Sequence, residues 1–504
     1  MTQIENKRGA HDTSGTSALH QEFNDAAAKA YVQPYLVANS TLSKINQFSL
    51  FFRYSQGEKA QSATPFAVAR NIILFYLKSV FEMLLHFISL LICRISGAQK
   101  FTKSRKELFV DTYVVSGSTP IFALENYFPL LQPVAHRLGW KLTILPRLYG
   151  SRNPFLHRKT IASLRMAGFD ILTELDLLTP SDYLYLCAHI LIYPWLVVVL
   201  AHSLSRTREG LYVRFALLSE IGHSSLSGAI RYRLGRQLAS IVSATDRLVQ
   251  WHENQPFDKT LNRGLRSVGA TFPIIGAQLY IGCPEIPNLW LAKSEPRWHS
   301  PDCILVTGSL YLDQNSNIPY KVGPALRYAG LFKRRGYMPN PTKVLVLMSY
   351  MDSSARYTQK LALQTQPAQN LVFKFHPAAP HPSLRRLIPE SSQIINGTLY
   401  DALENTKLVI GSASGALLEA IVLGISVIVT REPGMAHFSY VPEIGRGLLW
   451  VEVSSATEMQ GAINQLREST ENRKEEILAA RSEIRRQSFG VEPTAETIKA
   501  AFDL

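Results

Sequence analysis

KLVIGSASGALLEAIVLG, residues 407–424, is the stretch on which the fold turns. It opens as a short apolar strand and closes as an apolar helix. The turn between them, Gly411-Ser412-Ala413-Ser414-Gly415, holds only glycine and small residues. Strand, small-residue turn and helix in that order form the repeating unit of a parallel sheet. Around it KVLVLMSY (343–350), NLVFKFHP (370–377), SQIIN (392–396) and ISVIVT (425–430) repeat the strand pattern, with helical patterns at 355–367, 382–388, 399–405 and 414–423. Helices at about 456–468, 471–488 and 493–502 finish the chain. This alternation predicts a doubly wound parallel sheet whose ligands bind beyond the carboxyl ends of its strands.

The preceding half has the same texture. ELFVDTYVV (107–115) and KLTILPRL (141–148) read as buried strands around a helix FALENYFPLLQPVAHRLG (122–139). RLVQWHENQ (247–255) is strand-like, FDKTLNRGLRSVG (257–269) is a helix closed by Gly, and CILVTGSLY (303–311) ends this half. Two α/β units are therefore expected, 107–325 and 343–504, joined by a linker at 326–342. Residues 1–65 are polar and predict a poorly ordered arm.

Between arm and first unit, residues 66–106, lies Asn71–Cys93, NIILFYLKSVFEMLLHFISLLIC, long enough as a helix to cross a bilayer. Its Lys78, Glu82, His86 and Ser89 fall on one narrow stripe, and Lys78 and Glu82 are spaced to pair. Arg94, Lys100, Lys103, Arg105 and Lys106 follow without an acid, a pattern suited to an anionic leaflet. A second apolar stretch, Tyr183–Leu204, has no Asp, Glu, Lys or Arg and is followed by Arg206 and Arg208. If both crossed, the basic run would lie outside, against the positive-inside rule. Attachment along the membrane surface is the favoured reading; a buried helix pair and true spanning are the alternatives.

The chain has 504 residues, 46% hydrophobic and 18% charged, which excludes a mostly disordered protein. Lys and Arg exceed Asp and Glu by 53 − 39 = 14, a field suited to anionic partners. Part of it lies in Arg206–Arg236, where six Arg face two Glu. No nucleic-acid reader motif accompanies the charge, so nucleic acid is not the expected partner. Cys93, Cys187, Cys283 and Cys303 lack metal-ligand or redox-motif spacing, no secretory leader is apparent near Met1, and no metal or cofactor is expected.

Candidate site residues cluster at strand ends. After strand 407–410, the backbone N–H groups opening a helix, with Ser412, Ser414 and Gly415, form an anion cradle; a simple Ser N-cap is the plain alternative. It is neither a Walker loop nor GxGxxG. Glu419, one turn on, is placed to accept hydrogen bonds from ribose hydroxyls. Lys374 and His376 end another strand, where Pro377 forces a turn and leaves the imidazole at the cleft edge for phosphate contact or proton transfer. Trp251-His252-Glu253-Asn254-Gln255 places five polar or aromatic residues at a strand end, costly to bury without partners. Glu253 is the candidate base, its pKa expected to be raised by burial; the plain reading is a helix cap. Asp258 and Arg263 are spaced for an internal ion pair, and Asp111 and Glu125, with Tyr127 nearby, are weaker acidic candidates.

At W-H-E-N-Q (251–255), V-G-P-A-L-R-Y (322–328), K-F-H-P (374–377) and G-S-A-S-G-A-L-L-E-A (411–420), the sequence resembles the GT-B glycosyltransferases of bacterial capsule and O-antigen synthesis, the polysialyltransferase-like and Kdo-transferase-like group. The resemblance covers roughly residues 107–490. It implies two Rossmann-like domains facing a cleft, the acceptor on the N-terminal half and a nucleotide-sugar donor on the C-terminal half. It assigns His376, Ser412 and Ser414 to the donor phosphate and Glu253 to the base; Lys374, Gly415 and Glu419 join the donor side by their own positions. Trp251, Asn254, Gln255 and Gln278 fall on the acceptor side. Where such enzymes often carry Gln-His, this chain has Gln278-Leu279. The expected function is metal-independent transfer of a sugar, a CMP-linked acidic one favoured, to a surface polysaccharide or glycolipid at the cytoplasmic side of the inner membrane. A CDP-glycerol-type polymer transferase and a non-catalytic scaffold of polysaccharide assembly are the rivals.

Overall fold

The computed structural model describes residues 13–39, 54, 64–95, 102–117, 124, 127–151, 153–222, 224–283, 291, 295–314, 316–333, 343–376, 379, 381–412, 414–434 and 439–504. Among the described residues, thirteen strands form two all-parallel sheets. In the first, β1 (Glu107–Val115), β2 (Lys141–Tyr149), β3 (Asp170–Ile171), β4 (Arg247–Trp251), β5 (Ile274–Gln278), β6 (Cys303–Val306) and β7 (Tyr320–Val322) run in the order β3-β2-β1-β4-β5-β6-β7. In the second, β8 (Lys343–Leu347), β9 (Leu371–Lys374), β10 (Gln393–Ile394), β11 (Thr406–Gly411), β12 (Ser426–Thr430) and β13 (Trp450–Val453) run β10-β9-β8-β11-β12-β13. The two doubly wound α/β units agree with the expected fold class. The order reverses between β1 and β4 and between β8 and β11, and crevices for ligands open at such points. WVEV (450–453), with Glu452 in its middle, is a further strand that the expected set did not include.

The principal helices are α1 (Thr13–Tyr31), α2 (Pro65–Ile95), α3 (Leu131–Arg137), α4 (Pro154–Met166), α5 (Pro180–His202), α6 (Arg208–Ser219), α7 (Ser224–Ala239), α8 (Pro256–Arg266), α9 (Asp352–Thr365), α10 (Gly415–Val422), α11 (Ala456–Asn472), α12 (Lys474–Ser488) and α13 (Ala495–Phe502). Of the expected helix 122–139, α3 covers Leu131–Arg137 and does not run back through Leu130, which takes a left-handed φ of 69° next to Pro129; residues 122–123 and 125–126 lie outside the described residues. At the crossing of α7 and α8 the backbones nearly touch. A Cβ on Gly264 would lie 2.1 Å from the Tyr232 carbonyl oxygen, and one on Gly235 2.4 Å from that of Leu261. Gly264→Ala is expected to lower stability by about 1–3 kcal/mol through this overpacking, read as a shifted urea midpoint.

Two boundaries differ from expectation. The arm is not without structure over residues 13–39: Leu19, Phe23, Ala26, Ala27 and Ala30 line one face of α1 and are buried against α5 and α6. The buried Lys259 Nζ donates to Tyr31 Oη at 2.7 Å and pairs with Glu295 at 2.9 Å, tying the end of α1 to α8. At the other terminus the chain leaves the second unit after α12. Gly490 N donates to Thr307 O at 3.0 Å. Ile498 and Phe502 of α13 then enter the first sheet's core with Leu108 and Val110, and Arg247 pairs with Asp503 at 2.7 Å. Residues after about 490 thus belong to the first unit, although their sequence position suggested the second. One apolar core bridges the units, with Ile281, Ile304 and Val306 packed with Leu345, Val409 and Leu417.

Both long apolar stretches are helices. Phe75 meets Tyr193 and Phe87 meets Tyr183, so α2 and α5 pack antiparallel. Asp182 anchors the start of α5 to the protein: it accepts from Thr179 N at 2.7 Å and Gln237 Nε2 at 2.8 Å, and pairs with Arg233. Most of the polar stripe of α2 turns inward. Ser89 is buried and Glu82 and His86 are half-buried, while Lys78, at the start of the stripe, is exposed. In the basic run, Lys103 pairs with Asp246 at 3.2 Å and Lys106 lies over the Trp140 ring, so these two cations are spent on the protein. The Arg94 side chain and Lys100 lie outside the described residues.

Candidate active site

Strand β4 ends at Trp251, and the chain turns through Asn254, whose φ of 56° is left-handed, before Pro256 opens α8. This turn holds Glu253 at the carboxyl end of β4, beside the point where the first sheet reverses its order. Glu253 Oε1 accepts from Trp251 Nε1 at 2.9 Å and Oε2 from Gln255 Nε2 at 2.5 Å. Burial pushes its carboxyl above the usual carboxylate range, against the Trp251 N–H. Trp251 itself is not a cleft surface. Its ring is buried among Tyr127, Phe128 and Tyr280, and it reaches the site only through that N–H. Asn254 is also buried and serves the turn. The buried Gln278 amide has no hydrogen-bond partner among the described residues, and Leu279 fills the core.

Asp258 is the keystone of the turn. Its Oδ2 accepts from the backbone N–H of Glu253 at 2.9 Å and of Gln255 at 3.0 Å, and its Oδ1 lies 2.7 Å from Arg147 Nη1. Arg147 also pairs with Asp111, whose other partner is Arg231 at 2.6 Å. All four side chains are buried, two acids against two guanidiniums, so each charge is met. The expected Asp258–Arg263 pair does not form; Arg263 stacks over Trp298 instead. Asp111 is locked inside this network, its carboxyl held low by Arg147 and Arg231 in spite of its burial. Glu125 lies outside the described residues.

In the second unit the carboxyl end of β11 leads through Ser412 to Ser414, the N-cap of α10, whose Oγ accepts from Ala416 N at 3.3 Å. Ser412 Oγ is buried and, among the described residues, without a hydrogen-bond partner. A Cβ on Gly415 would stand 3.2 Å from Ile281, so the start of α10 abuts the loop after β5 of the first unit. Glu419 Oε2 accepts from Tyr400 Oη at 2.7 Å, and burial raises its carboxyl to about 7. His376, exposed after β9, meets Tyr350 edge-on at 5.5 Å. The Lys374 ammonium donates to the Gly397 carbonyl, so one of its three N–H groups is used within the second unit.

Arg327 joins the two halves. It stands in V-G-P-A-L-R-Y, exposed, with its guanidinium 5.9 Å from the Tyr127 ring. Its charge acts on Glu253 of the first unit and on His376 and Glu419 of the second, favouring the ionised carboxylates and the neutral imidazole. The motif around it was visible in the sequence, yet nothing local marked this arginine as the cation common to three distant groups. The arrangement can take a proton at Glu253 and receive an anion between Arg327, His376 and the start of α10.

No family model matches the chain, and no curated protein matches it. Among solved structures it is similar to MurG from Acinetobacter baumannii, with 12% identity over 80% of this chain and 100% of that one and a TM-score of 0.42. It is similar also to UDP-GlcNAc 2-epimerase from Neisseria meningitidis bound to UDP-GlcNAc, with 13% identity over 79% and 99% and a TM-score of 0.43. A third is HepE from Anabaena in complex with UDP-glucose, with 12% identity over 79% and 98% and a TM-score of 0.40. Identities this low carry no chemistry from one chain to another.

Proposed function

We propose that the chain is a glycosyltransferase that moves a sugar from a nucleotide donor to a surface polysaccharide or glycolipid at the cytoplasmic face of the inner membrane, without a catalytic metal. The observation that carries this reading is the placement of Glu253 and the Ser412–Ser414 turn at the reversal points of two adjoining sheets, with Arg327 acting on both sides. An acceptor hydroxyl gives its proton to Glu253, and its oxygen forms the bond to the anomeric carbon. The bond from that carbon to the donor phosphate breaks, and its electron pair leaves on the phosphate. Arg327, His376, Ser412 and the N–H groups opening α10 offset the charge that develops there. The net charge of +14 favours a CMP-linked acidic sugar as donor. A thermal-shift panel of CMP, UDP and GDP, followed by nucleotide release from the matching sugar nucleotides, tests this; no stabilisation by any nucleotide would overturn it.

Arg327 supplies a sharper test. Its charge lowers the Glu253 pKa, so an Arg327→Ala enzyme has a Glu253 that ionises at higher pH. Because the base must be ionised, the acid limb of kcat/KM against pH should move upward, with a loss on the order of 10² in rate. An acid limb that stays in place would remove Arg327 from the site.

A further inference from the structure

We propose that the cavity between α2 and the carboxyl edge of β1 and β2 receives the saccharide head of a membrane-anchored acceptor, and that the outward faces of α2 and α5 rest in the leaflet that holds its tail. This rests on the transferase reading for its consequence, though not for its geometry. The cavity has a volume of about 670 Å³, inside the roughly 300–1,000 Å³ of small-ligand sites. Tyr113 and Tyr149 at the strand ends offer ring faces for a sugar, and Ser227 of α7 offers a hydroxyl. Two buried nitrogens on its walls, His86 Nε2 and Arg231 Nε, have no hydrogen-bond partner among the described residues. Such groups are costly unless a ligand or water meets them. The cavity adjoins the proposed base, for Arg147 on its wall stacks 5.1 Å over Tyr113 and lies 2.7 Å from Asp258, which accepts from the Glu253 backbone N–H at 2.9 Å.

The wall that closes this cavity is the inner face of α2. Its outer face is the reverse of what water favours: Ile73, Leu77, Val80, Leu84, Phe87 and Leu91 recur at helical spacing and are all exposed. On α5, Leu184, Leu191, Ile192, Trp195 and Val199 do the same. The groove between the helices, about 530 Å³, is almost wholly apolar. An apolar surface this continuous marks a docking face. Exposed cations flank it: Arg70 and Arg206 by one end of the helix pair, and Arg158 and Lys159 on α4, which packs on α2, by the other. An apolar plane between cations matches an anionic leaflet, with acyl chains against the leucines and phosphates against the arginines.

The test uses the full chain and vesicles of phosphatidylcholine and phosphatidylglycerol at about 3:1, a composition that carries surface charge, doped with an alkyl maltoside bearing a photoreactive sugar. The wild type should float with the vesicles and, on irradiation, carry adducts on peptides spanning 82–89, 113 and 147–151. Leu77→Glu with Leu84→Glu, both at exposed positions, should lose flotation and adducts together. Ser227→Trp should float normally and lose adducts at least tenfold. If that variant does not fold, Tyr149→Ala should float and lose adducts severalfold. A wild type that stays in solution, adducts elsewhere, or unchanged adducts in a folded, floating cavity variant would overturn the proposal. Adducts without any nucleotide binding would leave this site standing and sink the transferase reading, whereas nucleotide binding without adducts would do the reverse.

Discussion

Glu253→Gln is expected to lower sugar transfer by about 10²–10⁴-fold, the usual contribution of a positioned base, while the protein melts at the wild-type temperature. The substitution keeps size and shape. The amide oxygen can still accept from Trp251 Nε1, and Gln255 can rotate its own amide to present oxygen where Glu253 Oε2 now accepts. What is lost is the proton acceptor. Burial already holds the Glu253 carboxyl above the ordinary range, so the wild-type acid limb should fall at a higher pH than for a solvated glutamate. Activity requires the ionised form, so it should rise as pH passes upward through that value. Wild-type turnover by Glu253→Gln would sink the assignment.

Asp258→Ala is expected to cost about 3–5 kcal/mol of stability, the range for removing one partner of a buried ion pair. Three bonds go at once: those from the backbone of Glu253 and Gln255, and the contact with Arg147. Arg147 would keep Asp111, but Asp111 is already shared with Arg231, leaving two buried guanidiniums for one carboxylate. The turn that presents Glu253 would lose its anchor, so transfer should fall with stability. Asp258→Asn should recover part of the stability, because its carbonyl oxygen can still accept from one N–H. Urea unfolding of both variants measures this, and a loss under about 1 kcal/mol for the alanine variant would show that the network is not what holds the turn.

The position of the candidate residues in the fold was legible in the sequence because strand ends announce themselves. An apolar run followed by Gly411-Ser412, by His376-Pro377 or by Glu253-Asn254 marks where a strand stops and polar groups begin. The roles of individual residues were less legible. The sequence puts Trp251 at the cleft, and it is core; it offers Lys374 as added charge, and the ammonium holds Gly397; it pairs Asp258 with Arg263 on one helix, and Asp258 reaches Arg147 on β2. Each turned on a partner distant in sequence, and such a pairing leaves no trace in the local pattern.

The apolar helices show the division most clearly. Periodicity in Asn71–Cys93 established an amphipathic helix with one polar stripe, since a 3.6-residue repeat fixes which side chains share a face. It did not establish which face meets protein, because the pattern is the same whether the polar side looks out to water or in to a cavity. Two parallel α/β units and the strand-end turns that carry Glu253, His376 and Ser412 follow from the local pattern, because backbone period and turn chemistry are local. That α2 turns Glu82, His86 and Ser89 inward, that α13 returns to the first sheet, and that the charge of Arg327 acts on groups of both units emerges once the chain is folded. Those depend on which surfaces are left to cover once the sheets have formed, and burial is settled by the whole chain.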